Sequence, residues 1–382
     1  MQKNSKLRLG VVAAFAAAAL ALGTAAPAYA DPTGPKTLNG AGSDTTQDVM
    51  NFVASQVPAI GNWNAVPAGS NITVNSVTFN RPIGSTAGVR ALSSSLRGIA
   101  FGAAISPATT APLLPAGTLE WARTSALRTE GGSELTYIPF AGDATSIAFN
   151  ASSDFPRDVA LGTSADATNL FTLRNIYLGT RQNFRDSSGD LITIRPILPQ
   201  TQSGTRLYWI TEALGTTAAA ITAGGRATDL GNTVQEHDGR FLTGPGDIAP
   251  YSVAQWIAQS NSTAEGLNPT TAAAIRPNPT GTVDRRGGAI LGSIDTVKPI
   301  TFQGTVYATN ADFLPSRLVY NVVETRALTS STPIRNDELI RSTFVGTAST
   351  VCAAMALPAQ RAFGFTPIAN CGATNLQRGF VN

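Results

Sequence analysis

Three short segments have the residue types needed to hold a small anion: Ser43-Asp44-Thr45-Thr46, Gly84-Ser85-Thr86 and Ser203-Gly204-Thr205. Each is a small hydroxylated turn placed just ahead of a helical pattern. The first backbone N–H groups of a helix have no internal partner, and the helix dipole makes that end positive. Serine and threonine hydroxyls supply further donors, while glycine lets the backbone come close to a ligand. Three such starts brought together would form an oxyanion site without lysine or metal. Each turn alone also reads as an ordinary helix N-cap, for which Ser, Thr and Asp are preferred. Convergence of the three is what separates the two readings.

Other chemistries find little support. There is one histidine, His237, so His-rich and paired-His metal sites are excluded. It lies in Gln235-Glu236-His237-Asp238-Gly239, a polar, glycine-terminated stretch that reads as an exposed turn. No G-x-S-x-G elbow supplies a serine to partner it. P-loop, C-x-x-C and convincing G-x-G-x-x-G patterns are likewise missing from the sequence. The chain is expected not to be an enzyme and to need no cofactor and no metal. Cys352 and Cys371 are the two cysteines, close enough in sequence for a disulfide to be the natural reading.

At the N-terminus Lys3, Lys6 and Arg8 precede an apolar run from Leu9 to Leu22, and Ala28-Tyr29-Ala30 follows. This pattern reads as a secretory signal peptide over residues 1–30. The formal charge of the 382-residue chain is +3; without those three cations, 24 basic side chains face 24 acidic ones. A neutral chain argues against a general polyanion surface, so no nucleic-acid partner is expected. With 43% hydrophobic and 13% charged residues, the chain is suited to a packed core rather than to disorder. No later segment offers the roughly 18 apolar residues of a spanning helix. The expectation is a secreted protein (extracellular, cell wall or periplasm) that does not span the membrane and is a monomer.

The elements that must position the three turns alternate in type. Leu38–Gly40 leads into the first turn and then a helical pattern from Gln47 to Val57. Ile72 to Phe79 alternates as a strand, and the second turn is followed by a helix-like stretch from Ala87 to Leu92. Ile99–Gly102, Leu135–Pro139 and Thr145–Asn150 read as strands, the last two separated by Phe140-Ala141-Gly142-Asp143. Leu191 to Ile197 is another, followed by the third turn and a helix from Thr205 to Leu214. Thr216–Gly246 and Ser260–Gly288 read as long surface connections, with Thr301–Thr309 and Leu318–Val323 as later strands. Strands alternating with helices predict an α/β fold with a largely parallel sheet.

Taken in order, these motifs resemble the phosphate-binding proteins of ABC transporters. Gly40-Ala41-Gly42-Ser43-Asp44-Thr45-Thr46 is similar to their opening motif, Ile83–Gly88 to their second phosphate loop and Gln202–Arg206 to their third. Phe171–Leu178, Ile248–Ser252 and Pro315–Tyr320 also match the group, so the similarity runs from Leu38 to about Thr325. The resemblance implies a two-lobe type II periplasmic-binding-protein fold, with the ligand cleft between lobes. It implies a linker at 31–37, a first lobe at 38–140, a second at 141–285 and a return to the first at 286–382 with the C-terminal disulfide loop. Ser43, Asp44, Thr45, Gly84, Ser85, Thr86, Ser203, Gly204, Thr205 and Arg206 are the ligand residues carried over, for phosphate or sulfate. An ABC permease is the implied partner.

Three departures stand against the pattern. The buried acid that follows the Phe-Gly-Ala type strand in those proteins is missing from Phe101–Pro107. Pro199 stands where they place an arginine, with Arg195 and Arg206 nearby. No cysteine near the cleavage site can carry a lipid. Two functions therefore remain open: a secreted binding protein for phosphate or a related oxyanion, and an extracellular surface or matrix protein that keeps the fold without a transport ligand.

Overall fold

Leu38–Gly42, five consecutive buried residues, forms β1, the strand that delivers the first turn. The structure, a computed structural model, describes residues 31–66, 69–102, 110–162, 170–262, 284–303, 306–332, 335–357 and 362–382. The signal segment, the stretch after Gly102 where the family pattern has its acid, and most of the Ser260–Gly288 connection lie outside the described residues.

After β1 come α1 (Gln47–Gln56), β2 (Ile60–Asn62), the hairpin β3 (Asn71–Val74) and β4 (Val77–Asn80), and α2 (Ser85–Arg97). Next are β5 (Trp121–Thr124), β6 (Leu135–Asn150), β7 (Asp158–Val159), α3 (Leu173–Tyr177), β8 (Asn183–Arg185), β9 (Leu191–Thr193) and β10 (Arg195–Pro196). Then α4 (Gly204–Tyr208) runs on as a π-helical turn, Trp209–Ala213, before α5 (Ala218–Gly224), β11 (Asp247–Ser252) and α6 (Val253–Ser262). The chain continues with β12 (Ala289–Leu291), β13 (Ser293–Ile294), β14 (Ile300–Gln303), β15 (Val306–Thr309) and β16 (Ser316–Glu324). It ends with α7 (Arg326–Thr329), α8 (Asp337–Phe344), α9 (Thr350–Met355) and β17 (Gln377–Arg378).

The fold is α/β around a nine-stranded sheet in the order β10-β11-β6-β16-β5-β1-β2, with β12 and β17 also paired to β6. The expected largely parallel sheet is corrected to a mixed one. β1–β2, β1–β5 and β10–β11 are parallel, whereas β6 is antiparallel to β11, β12, β16 and β17. The local strand–helix alternation is real, but it cannot report that β16 returns through the middle of the sheet.

The second correction concerns β6. Leu135–Pro139 and Thr145–Asn150 are one strand of 16 residues, buried except at its last position. Gly142-Asp143 carries a turn signal that tertiary pairing overrides: β16 holds residues 135–144 and β11 holds 145–148. Register with β16 slips between Val319 (opposite Ala141) and Tyr320 (opposite Pro139), leaving Phe140 as the extra residue. A bulge suits Pro139, which has no N–H to give to a ladder. The expected Ile72–Phe79 strand is in fact the β3–β4 hairpin, turned at Asn75 (φ 47°) and Ser76 (φ 69°). Two successive positive φ values are what a tight two-residue hairpin turn requires. Thr301–Thr309 is likewise a hairpin, β14–β15, and Ile99–Gly102 makes only the single bridge Ala100–Leu113 among the described residues.

The core is divided. One apolar cluster takes its residues from between Ala126 and Phe313, around Phe149, Tyr177 and Trp209. A second joins Leu38, Trp121 and Ile138 to Val319, Val323 and later residues. A third joins Ala41, Phe79 and Tyr137 to Tyr320 and Val322. The Cys352–Cys371 bridge forms, with Cα atoms 5.9 Å apart. It ties α9 to the loop whose Gly372 N–H donates to Pro139 O at the bulge, 2.9 Å. No helix among the described residues is long and apolar enough to cross a membrane.

Candidate functional site

The three turns are drawn together: Gly42, just ahead of the first, forms a parallel bridge with Ile83, just ahead of the second, and the second abuts the third. Gly84 has φ 96°, a conformation open to glycine, and a Cβ there would lie 2.7 Å from Gln202 O, just ahead of the third turn. A Cβ on Gly204 would collide with Ser85 Oγ and lie 2.5 Å from Ser125 Oγ. Both glycines are therefore required by the close approach of the second and third turns. Thr86 N–H donates to Gln202 O at 3.0 Å across the same seam. Ser85 Oγ accepts from Ser125 N–H at 3.0 Å, which ties the start of α2 to the end of β5.

The first turn is propped from behind by Arg123 of β5. Its guanidinium is fully buried and donates to Ser43 O (3.0 Å), Gly42 O (3.2 Å), Trp63 O (3.0 Å) and the Asn62 side chain. Burial pulls its pKa down to about 9, against the pull of the carboxylates led by Asp44. Thr45 Oγ1 donates to Glu236 Oε1 at 2.9 Å, and Thr45 O accepts from Gln255 Nε2 at 2.5 Å. The first turn is thus joined to residues far along the chain.

Here the reading of His237 as an exposed turn residue is overturned. His237 and Glu236 are buried, because their segment is covered by β11 and α6: His237 O accepts from Tyr251 Oη (2.7 Å) and Gln259 Nε2 (2.8 Å). His237 Nδ1 faces Asp44 Oδ2 at 3.6 Å, too long for a hydrogen bond. Burial, reinforced by Arg285 and Arg240, holds the His237 pKa well below its ordinary value. Burial and then the neighbouring Glu236 charge push Asp44 well above the ordinary carboxylate range.

The third turn connects to a second buried charge cluster. Arg317 Nη2 donates to Thr205 Oγ1 (2.8 Å) and to Asp143 Oδ2 (2.8 Å), with Arg317 Nε also on that oxygen at 3.1 Å. Asp143 accepts in addition from Ser252 Oγ and from Ala254 N–H, 3.0 Å. Ser252 closes the circuit, since its N–H donates to Glu236 O. An arginine and acidic groups therefore stand at the turns after all, supplied by β16, β6 and the Glu236 segment rather than by the positions the family pattern names.

Not every expected residue has the expected surroundings. Ser203 Oγ caps α4 by accepting from Arg206 N–H at 3.0 Å. Arg206 itself is engaged by Pro199 O (2.9 Å) and Asp229 (3.2 Å), and Thr86 Oγ1 accepts from Arg128 at 3.0 Å. Around the turns, several buried polar atoms have no hydrogen-bond partner among the described residues. They are Ser43 Oγ, Thr46 Oγ1, Thr145 Oγ1 and Arg317 Nη1, which can donate, Glu236 Oε2 and Gln255 Oε1, which can accept, and the Asp44 carboxyl and His237 Nδ1, which can do either. Sequence reasoning missed Arg123, Asp143, Glu236, Gln255 and Arg317. The Asp143-x-Thr145 spacing, two residues on one face of a strand, was the available signal, hidden by the turn-like Gly142-Asp143.

Asp44 gives a pH test. A carboxyl whose folded-state pKa is raised stabilises the fold at low pH relative to high pH, and that contribution is lost as pH rises through the folded value. Asp44→Asn removes the titration, so its stability relative to wild type should rise as pH is raised above the ordinary carboxylate range. Denaturant unfolding at each pH measures this; a difference that stays flat or falls contradicts the raised Asp44.

No family model and no curated protein matches the chain. Solved structures do match. One from Clostridium perfringens with bound phosphate is 13% identical, covering 87% of this chain and 99% of that one, with TM-score 0.47. An ABC-type phosphate transport receptor from Vibrio cholerae is 13% identical over 87% of this chain and 100% of that one, TM-score 0.45. A phosphate-binding protein from Stenotrophomonas maltophilia is 13% identical over 88% and 91%, TM-score 0.44. These three solved structures are phosphate-binding or phosphate-transport proteins, at low identity to this chain.

Proposed function

We propose that the chain is an exported solute-binding protein that holds phosphate, or a related small oxyanion carrying a proton, among the Ser43–Thr46, Gly84–Thr86 and Ser203–Thr205 turns. In this reading one lobe comprises 38–140 with 286–382, the other 141–285, and an ABC permease is the partner. The single observation that carries this reading is the set of buried, unpartnered polar atoms at the meeting of the three turns. Each such atom costs about 1–3 kcal/mol when left unpaired, so a cluster of them is where a ligand, or the water it displaces, completes the hydrogen bonding. Their two kinds select the ligand. Ser43, Thr46, Thr145 and Arg317 offer donors to anionic oxygens, while Glu236 and Gln255 present acceptors beside the raised Asp44 carboxyl, whose own proton lies toward Glu236. Hydrogen phosphate has both; sulfate has no proton to give and meets carboxylate oxygens instead.

Isothermal titration of protein refolded free of ligand tests this. Phosphate should bind, sulfate should bind at least about tenfold more weakly, and Thr205→Val should weaken phosphate by about one to two decades. That loss corresponds to about 1.5–3 kcal/mol for a hydrogen bond to a charged group. Heat from neither ion at millimolar concentration would put the surface or matrix protein in its place. That second reading is favoured by Arg317, most of whose guanidinium is already engaged within the chain by Asp143 and Thr205.

A further inference from the structure

At the end of the sheet away from the three turns, β5 is preceded by Glu120, whose N–H donates to Asn39 O at the start of β1. Its side chain is 5% exposed. Oε2 accepts from Asn39 N–H at 2.8 Å, whereas Oε1 is buried without a hydrogen-bond partner among the described residues. Beside it is a cavity of about 220 Å³, lined among others by Leu96, Leu119, Glu120, Glu324, Arg335 and Ile340. Of the cations lining that cavity, Arg335 is the one paired with Glu120, and its Nη2 stops 3.7 Å from Oε1 on a side chain that is 59% exposed. It lies beyond hydrogen-bond length, with its guanidinium resting on Gly117 and a weak, half-exposed hold on Glu120.

We propose that this cavity binds a small organic cation, an alkylammonium or alkylguanidinium group whose charged head meets Glu120 Oε1 while its chain lies against Leu96, Leu119 and Ile340. The chemistry is that of the cavity: the Glu120 Oε1 acceptor lacking a donor and an aliphatic wall of Leu96, Leu119 and Ile340, with the Glu324 carboxylate at its edge paired to Arg326 at 3.7 Å. The proposal does not rest on the oxyanion reading. Burial raises the Glu120 pKa to about 7, with the Asn39 N–H and Arg335 pulling the other way. A cation binds the carboxylate and not the neutral acid, so affinity should fall as pH drops through that value. The charged groups facing Glu120 across the cavity are Glu324 at the end of β16, Arg326 of α7 and Arg335 ahead of α8.

The test is calorimetric titration of the full chain with n-butylammonium at about pH 8.5 and about pH 5.5, on wild type, Glu120→Gln and Arg335→Ala. Glutamine keeps an oxygen for the Asn39 N–H, so the variant should fold, and circular dichroism checks this. Wild type should bind in the millimolar range or tighter at the higher pH and at least about tenfold more weakly at the lower. Glu120→Gln should lose at least about tenfold in affinity together with the pH dependence, while its phosphate binding stays as in wild type. Arg335→Ala should bind a few-fold more tightly, the competing guanidinium being gone. The proposal is overturned by the absence of binding at about 10 mM ligand and about pH 8.5, by equal binding to Glu120→Gln, or by Arg335→Ala binding no more tightly than wild type.

Discussion

Arg317→Met is expected to destabilise the protein by about 3–5 kcal/mol and to abolish phosphate binding. Asp143 is 2% exposed, and its carboxylate takes two of its hydrogen bonds from the Arg317 guanidinium. Removing one partner of a buried pair leaves the other charge unpaired in a medium that solvates it poorly, which is the strongly destabilising case. The same substitution takes a donor from Thr205 Oγ1 and removes Arg317 Nη1 from the ligand side. Asp143→Leu/Arg317→Met separates the two roles. Replacing a whole buried pair by apolar side chains of similar volume is often neutral, so the double variant should recover most of the stability and none of the binding. Urea unfolding and phosphate titration read the two effects. A single variant that loses less than about 1 kcal/mol, or a double variant that binds phosphate normally, would sink the assignment.

Removal of the disulfide is the second large effect. Cys352 and Cys371 are separated by 19 positions, and closing a loop of that length restricts the unfolded chain by about 3 kcal/mol in the chain-entropy description. The bridge also anchors the loop that pairs Gly372 N–H with Pro139 O beside the β6 bulge, so its loss frees a segment packed on the central strand. Cys352→Ala/Cys371→Ala should therefore unfold at markedly lower denaturant concentration than the oxidised wild type, by an amount near that figure. Wild type kept in excess reductant should behave like the double variant. Equal midpoints for all three would show that the loop is held by its packing alone.

Much of the local structure could be read without coordinates. The helices after Ser43–Thr46, from Ser85 and after Ser203 all follow a turn of small residues ahead of a 3.6-residue apolar pattern, a signal contained within a few positions, although of the three N-caps only Ser203 caps its helix through its side chain. The cysteine pair was legible for the same reason. The errors fall where a local signal met a distant partner. Gly142-Asp143 looks like a turn, but Asp143 remains inside a strand because Arg317, 174 positions later, neutralises it. Glu236-His237 looks solvent-exposed, but Tyr251 and Gln259 cover its carbonyl and the first turn covers its side chains.

The sequence by itself determined which turns begin helices, which cysteines pair and which residue types were on hand to meet an anion. Tertiary structure alone decided that the three turns adjoin one another. It alone supplied the arginine and the acceptors, from β16, β6 and the segment before β11. The physical reason is the range of the interactions. Capping and turn preferences act over about three or four residues and leave a pattern in the chain, whereas a buried charge chooses its partner by proximity in the folded core. Nothing near Asp143 in sequence records Arg317, and nothing near Asp44 records Glu236 or His237.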